Sequence, residues 1–471
     1  MKPISSFILC AAALLTGCAS FSPDGGFAEV EKTAQAQLGK ELRWARTDTD
    51  RQHIQRRVTE LLARPLGADD AMQIALLNNS GLQAAFFELG ITEAQIVQAA
   101  QLPNPGFSFA RRSGAGEVEI ERGLHFNIAR LLVLPLTRPI EARRLAQVQQ
   151  QIALRVLTLA ADTRKAHVQA VAARESVRYL QQVQAAAQAG AELARRMEAV
   201  GNFNKLQRAR EQGFQADAAL NLAHAEQLQR HTLERLTRLL GLWGDQAAVT
   251  LPQRLPERLP DLPQTVVDEP GIERRALAQR LDVQAARAAT EQTADQLGLT
   301  RTTRFINVFE LGLTRSGTTG ATTQRGWEIS FELPLFDWGQ ARVAHAEAVY
   351  MQSLANAAQI AIEARSEIRE AYSAYRSAWD IARHHRDQIV PLRKLIADET
   401  LLRYNGMLIG VFELLADARL QISSVNASMQ ALRDFWLAQA DLELALIGKP
   451  ASMAAAGGAA PAGAADAPSP H

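Results

Sequence analysis

The chain is poor in cysteine, in aromatic side chains and in excess charge of either sign, and it lacks a long apolar run. Its only cysteines are Cys10 and Cys18 among 471 residues, which excludes a disulfide framework and a Cys-rich metal site. Lys plus Arg number 51 against 50 Asp plus Glu, a formal net charge of +1. Neither a basic nucleic-acid footprint nor an acidic tail is present, so no nucleic-acid partner is expected. Aromatic residues make up 6%, too few for two or three large compact cores, whereas abundant Ala, Gln, Leu and Arg suit long packed helices. Beyond the N-terminal segment no apolar run reaches the roughly 18 residues that a membrane helix needs. Any membrane crossing must therefore be made by strands. Phosphate-loop, nucleophile-elbow and zinc-protease patterns are missing as well, so neither enzymatic activity nor a cofactor is expected.

What is there begins with Lys2, an apolar stretch from Ile4 to Leu15, and Leu15-Thr16-Gly17-Cys18. This reads as an export signal over residues 1–17. Leu15-Thr16-Gly17-Cys18 resembles the bacterial lipobox, which implies cleavage before Cys18 and lipid on the Cys18 sulfur and new amino group. Ala19 in place of Asp favours sorting to the outer membrane. The other reading is an ordinary secretory signal with an incidental cysteine. A polar, lipid-anchored segment is expected over 18–64.

A change of period organises the remainder. In Trp327, Ile329, Phe331, Leu333 and Leu335 every second residue is apolar, with Glu328, Ser330 and Glu332 between, the pattern of a strand with one apolar and one polar face. Pro334 and the Phe336-Asp337-Trp338-Gly339 turn close it. From Gln340 a helical pattern of about 65 residues follows, about 97 Å if straight, and Pro391 within it reads as a packing kink. Earlier in the chain a helix opens near Asp69-Asp70 and ends at Leu102-Pro103-Asn104-Pro105. Phe107 and Phe109, then Leu124, Phe126 and Ile128, mark a hairpin around Gly114-Ala115-Gly116. A strand-to-helix junction is expected at Pro135. A long helix is expected from Glu141 to Val200, broken at Gly201-Asn202-Phe203-Asn204 before a return helix to Leu240-Gly241. Arg130, in phase with Phe126 and Ile128, requires that the strand end or bulge before it.

The pattern then recurs. Val283-Gln284-Ala285-Ala286 echoes Leu82-Gln83-Ala84-Ala85, Pro334-Leu335 echoes Pro135-Leu136, Gly406 echoes Gly201, and Leu415 with Ala418-Arg419 echoes Leu206 with Ala209-Arg210. The second hairpin carries Phe305, Phe309, Leu311 and Leu313 on one face and is joined to Trp327 by a Ser316-to-Gly326 loop. Two internal repeats are therefore expected, over 65–242 and 271–449, around a Pro-rich linker over 243–270. An Ala/Gly/Pro tail over 450–471 is expected to be disordered. The turn after Gly201 is expected to be shorter than the one after Gly406.

Four strands of about ten residues can cross an outer membrane but cannot close a barrel, so oligomerisation is required. The segments Leu76-Leu77-Asn78-Asn79, Gln101-Leu102-Pro103-Asn104-Pro105, Leu333 to Gly339, Arg403-Tyr404-Asn405-Gly406 and Glu413 to Arg419 resemble the TolC-like outer-membrane factor family, lipoprotein type, over roughly Pro65 to Lys449. The resemblance implies a mainly α fold with membrane β-strands. It implies a homotrimer with a twelve-stranded β-barrel, four strands per protomer, continued by a long periplasmic α-helical barrel. It further implies the exit duct of a tripartite efflux pump for heavy metals or drugs, or of type I protein secretion. The implied partners are outer-membrane lipid, a periplasmic adaptor and an inner-membrane transporter, foremost of the RND type. A lipid-anchored periplasmic adaptor would show one helical hairpin between β-rich domains, and a lipid-anchored scaffold would lack the alternating strands.

The candidate sites follow from position. Glu413 and Asp417, four apart, share a helix face just past the second turn. They read either as a carboxylate ring constricting the pore or as a solvated helix face. Adaptor contact is expected at the tips, Val200, Gly201, Asn202, Asn405, Gly406 and Met407, and the strand-to-helix junctions at Pro135, Pro334 and Gly339. His384-His385, pointing in two directions on a helix, reads as solvated, and no metal site is expected.

Overall fold

The computed structural model describes residues 21–114, 117–260, 269–305, 308–318 and 320–450. The export signal, Cys18 and the Ala/Gly/Pro tail from 451 lie outside the described residues. The expected polar segment before Pro65 contains two helices not foreseen from the sequence, α1 (Phe27–Leu38) and α2 (Asp48–Leu62). Local chemistry starts α2: Thr47 accepts from the Asp50 backbone N–H while the Asp50 carboxylate accepts from that of Thr47, a reciprocal cap that satisfies two free donors. Val30, Leu42, Trp44, Ile54 and Val58 bury the apolar face of this segment against the helices that follow.

The helix expected as one piece after Asp69 is two, α3 (Ala68–Asn78) and α4 (Ser80–Ala100). Asn79 is extended, and its side chain caps α4 by accepting from the Leu82 N–H. The Asn78 and Asn79 amides also donate to the Leu239, Leu240 and Gly241 carbonyls. They thereby satisfy acceptors left free where α6 (Lys205–Leu240) ends. Gly241 has φ +67, and a Cβ there would stand 2.5 Å from the Asn78 oxygen, so both backbone conformation and space demand glycine.

Strands β1 (Gly106–Gly114) and β2 (Glu117–Asn127) form the first hairpin, and β3 (Phe309–Thr318) and β4 (Gln324–Phe331) the second. All neighbours are antiparallel in the order β1-β2-β3-β4. The second hairpin pairs as far as Ser316 with Gln324, so its loop is shorter than the expected Ser316-to-Gly326 stretch. Strand β4 stops at Phe331, ahead of Leu333 and Leu335, where the backbone turns back on itself between Leu333 and Leu335.

Helix α5 (Ile128–Ala199) starts directly after β2 and runs 72 residues, about 108 Å at 1.5 Å per residue. The expected junction at Pro135 is thereby corrected. The junction lies at Asn127, whose side chain caps α5 through the Arg130 N–H, and both Pro135 and Pro139 sit inside the helix. Starting the helix at Ile128 also takes Arg130 out of the strand.

In the second repeat α7 (Glu269–Gln279) breaks at Arg280 before α8 (Leu281–Thr303), as α3 breaks before α4. Gln83 donates to the Leu77 carbonyl and Gln284 to that of Ala278, the same i−6 bond across each break. The rod expected after Gln340 is α9 (Gln340–His384), a π-helical turn at His385–Ile389 and α10 (Val390–Asn405). Pro391 has no N–H and its ring crowds the carbonyl four residues back. The wider turn, with Val390 N–H reaching His385 O, absorbs that clash and keeps the rod continuous. Helix α11 (Val411–Ile447) closes the chain.

Among its described residues 243–260 the Pro-rich linker has no long helix or strand, yet it is firmly docked. Leu251, Leu255 and Leu259 are buried, and its carbonyls accept from Arg174 at Leu251, Trp436 at Pro256 and Trp379 at Pro260. Prolines remove donors, so acceptors outnumber donors here and the underlying helices supply their partners, while the Leu255 N–H donates to the Glu175 carboxylate of α5.

Candidate functional site

Two regions concentrate the chemistry: the tips of the helical pairs and the sheet at the opposite end. Both tips are five-residue turns, residues 200–204 and 406–410, so the expected difference in length is corrected. At the first, Gly201 has φ +80 and the Asn202 and Phe203 N–H groups return to the Met197 carbonyl. Asn204 then caps α6 in a reciprocal pair with Gln207. At the second tip the left-handed residue is Met407, with φ 56, and not the neighbouring glycine. Gly406, at φ −81, leaves that task to a side chain for which it is unfavourable. Val200 is exposed at the first tip and Met407 and Leu408 at the second, Met407 at 93%.

The tips lean on one another. Phe203 is buried against Ala194 and Val411, Arg210 stacks over Phe412, and Arg419 stacks over Phe214. Arg210 and Arg419 hold matching places in the two repeats, so each repeat's arginine covers an aromatic ring of the other. Glu192, on α5 near the tip, accepts from Arg195 and Arg196, and these bonds hold its carboxyl down to about 2.

The two acidic residues flagged past the second tip have different surroundings. Glu413 is exposed in the first turn of α11. Asp417 is half-buried and accepts from the Thr400 hydroxyl of α10 at 2.6 Å. His384 lies at the end of α9 and His385 opens the π-helical turn. Among the described residues no group of three or more His, Cys, Asp or Glu is placed to hold a metal ion.

At the other end, Gly339 is the hinge between sheet and helix. It has φ +73, and an added Cβ would stand 2.7 Å from the Arg304 carbonyl oxygen. Pro334 lies in the irregular stretch between β4 and α9. All four strands meet their helices at the same end, since Gly106 pairs with His125, Asn127 with Glu310 and Phe309 with Phe331. One face of the sheet carries Phe107, Phe109, Leu124, Leu313, Trp327, Ile329 and Phe331, all exposed. The outer edges of β1 and β4 pair with no strand among the described residues.

No family model matches the chain, and no curated protein matches it. Solved structures do. The outer membrane channel CmeC of Campylobacter jejuni superposes with a TM-score of 0.68 at 17% identity, over 80% of this chain and 85% of that one. The chain has the TolC-like outer-membrane-channel fold. The open state of the Neisseria gonorrhoeae MtrE outer membrane channel gives 0.65 at 19% identity, over 80% and 88%. CusC, in a study of folding and transmembrane channel formation, gives 0.66 at 17% identity, over 81% and 92%. Within this TolC-like fold the sheet with its apolar face stands at one end of the long helices and the tips at the other. Among the described residues no helix is long and apolar enough to cross a membrane.

The cross-repeat contacts Arg210–Phe412, Arg419–Phe214 and Phe203–Val411 were not foreseen from the sequence. The repeated Ala-Arg pair at 209–210 and 418–419 was the available signal, but it names no partner until the helices are packed.

Proposed function

We propose that the chain is the outer-membrane exit duct of a tripartite efflux pump, a passive conduit assembled as a homotrimer. The observation that carries this reading is a four-stranded sheet with an apolar exposed face and two edges unpaired among the described residues, mounted on helices about 100 Å long. Unpaired edges facing hydrocarbon cost several kcal/mol for each unsatisfied group. Three sheets joined edge to edge give twelve strands and remove every edge. Leu392, Leu395 and Leu402, exposed along one stripe of α10, give the helices of neighbouring protomers an apolar seam.

In this reading the two repeats, 65–242 and 271–449, each supply one hairpin to the barrel and one antiparallel helical pair to a periplasmic tube. Cys18 carries the lipid. The exposed tips, Val200, Gly201 and Asn202 with Asn405, Gly406 and Met407, meet a periplasmic adaptor. An inner-membrane transporter, foremost of the RND type, supplies cargo, drugs or heavy metals. CmeC and MtrE are outer membrane channels, which supports the reading of this chain as an outer-membrane duct.

Chemical cross-linking in outer-membrane fractions tests the assembly and should yield a ladder ending at the trimer. A stable monomer that conducts ions would overturn it.

A further inference from the structure

The register of the sheet sets three arginines side by side. Arg122 of β2 pairs with Arg315 of β3, and Arg315 pairs with Arg325 of β4. Directly opposed residues have Cβ atoms about 5 Å apart, and like charges so placed repel. All three side chains are exposed, and no carboxylate accepts from any of them among the described residues. The contrast with the other face is sharp. Arg112, which points the opposite way by strand alternation, lies within ion-pair distance of both Glu119 and Glu121.

Alternation puts Arg122 on the face of Leu124 and Phe126, Arg315 on that of Leu313 and Leu311, and Arg325 on that of Trp327 and Ile329. The row therefore belongs to the apolar face. On β3 and β4 it is also at one border of the apolar rows. Phe309–Phe331, Leu311–Ile329 and Leu313–Trp327 form successive apolar rows from the helix end, and the arginines follow next, toward the hairpin loops. Six residues separate Phe331 from Arg325, about 20 Å along the strand, and exposed Leu333 and Leu335 extend the apolar surface below. That approaches the apolar band of about 25 Å that barrels present to lipid.

We infer that Arg122, Arg315 and Arg325 form a binding row for the phosphate groups of lipid in the outer leaflet. Rows of this kind from three protomers would circle the barrel where hydrocarbon gives way to headgroups. Guanidinium groups bind phosphate oxygens bidentately, and Phe107, Leu124, Leu313 and Trp327 beneath them meet the acyl chains. An anion between the arginines relieves their repulsion, and a phosphate monoester, with about −1.5 to −2 charges at neutral pH, does so more than the singly charged phosphodiester of a zwitterionic lipid. The inference rests on the reading of the sheet as a membrane wall.

The experiment uses the full chain in nanodiscs of phosphatidylcholine doped with bisphosphorylated lipid A or with its dephosphorylated form, and native mass spectrometry counts retained lipid. Wild type should retain lipid A at least tenfold over the dephosphorylated form, and inorganic phosphate should not displace it. Arg122→Gln/Arg315→Gln/Arg325→Gln should abolish the preference while Arg112→Gln keeps it. Should the triple variant fail to fold, Arg315→Gln alone, at the centre of the row, should reduce the preference several-fold. Equal retention of both lipids by wild type, or equal loss in Arg112→Gln, overturns the inference. So does a triple variant that retains lipid A but changes ion selectivity, which would place the row in the lumen. Quenching of Trp327 fluorescence by brominated lipid reads the membrane insertion separately. No quenching would refute the membrane wall itself.

Discussion

Arg419 of α11 and Glu211 of α6 form an ion pair across the boundary between the two repeats. Glu211 is 2% exposed, so its carboxylate depends on this partner, and the Arg419 guanidinium lies 4.6 Å above the Phe214 ring. The pair sits within a few turns of the tips, where the first-repeat helices meet the second-repeat pair.

Replacing Glu211 by Gln should therefore loosen the second helical pair from the first. Breaking a buried pair costs about 3–5 kcal/mol, and the partial exposure of Arg419 lowers the expectation to about 1–3 kcal/mol. Thermal unfolding of the purified oligomer and channel conductance in planar bilayers check this. Glu211→Gln should unfold earlier and conduct more, and adding Arg419→Met should recover part of the stability by removing the stranded charge.

The glycine between sheet and helix gives a sharper steric test. Gly339→Ala must accept both a left-handed backbone and a Cβ 2.7 Å from the Arg304 oxygen. Strain of about 1–3 kcal/mol is expected, and the backbone oxygen cannot swing aside as a side chain would. Yield of heat-resistant oligomer should fall, whereas Gly213→Ala, whose Cβ meets nothing within 4 Å, should keep the wild-type yield.

How much of this was legible in the sequence depends on the range of the interaction involved. The strands announced themselves because apolar and polar residues alternate locally, and Gly201 and Gly241 ended helices as glycine does. Pro135 misled, because proline normally breaks a helix, while Asn127 eight residues earlier caps α5 and fixes its start. The two N-terminal helices were hidden by their charge, since only narrow stripes such as Ile54, Val58 and Leu61 are buried. The left-handed residue at the second tip went to Met407 although Gly406 stood next to it, a choice made by the packing of two helices and not by propensity. Glu211–Arg419 joins residues 208 apart in sequence, and no local pattern carries such a pairing.

His167 gives a pH dependence. It is buried on α5, its Nε2–H donates to the Leu66 carbonyl, and burial pushes its pKa below the usual value. The unfolded chain then binds a proton in a range where the folded chain does not, so stability rises with pH across that window. As pH falls below about 6.5 stability should decline, until the depressed folded pKa is passed. His167→Gln keeps a donor without titrating. Denaturation curves between about pH 5 and 7 should be flatter for the variant than for wild type.

The lipid anchor is tested through Cys18. Lipid adds membrane affinity at about 0.8 kcal/mol per buried CH₂, while the barrel supplies the span, so Cys18→Ala should alter processing more than channel architecture. Labelled palmitate should enter wild type and be absent from Cys18→Ala. Equal label in both would leave the cysteine as part of an ordinary export signal.

Glu413 and Asp417 were paired by spacing, and their different contacts now separate what each should do. Asp417 accepts from Thr400 at 2.6 Å, a bond between α10 and α11 that holds the second helical pair together just behind its tip. Glu413 is exposed at the start of α11, free to face an axis around which three copies would gather like charge. Glu413→Gln should thus weaken cation preference and block by multivalent cations in planar bilayers while leaving trimer yield and thermal stability unchanged. Asp417→Ala should lower stability by about 1 kcal/mol through the lost hydrogen bond, with Asp417→Asn restoring most of it because an amide oxygen still accepts from Thr400. Selectivity should follow the first substitution and stability the second. If Glu413→Gln conducts, selects and blocks as wild type does, Glu413 belongs to a solvated helix face and the constriction lies elsewhere along the tube.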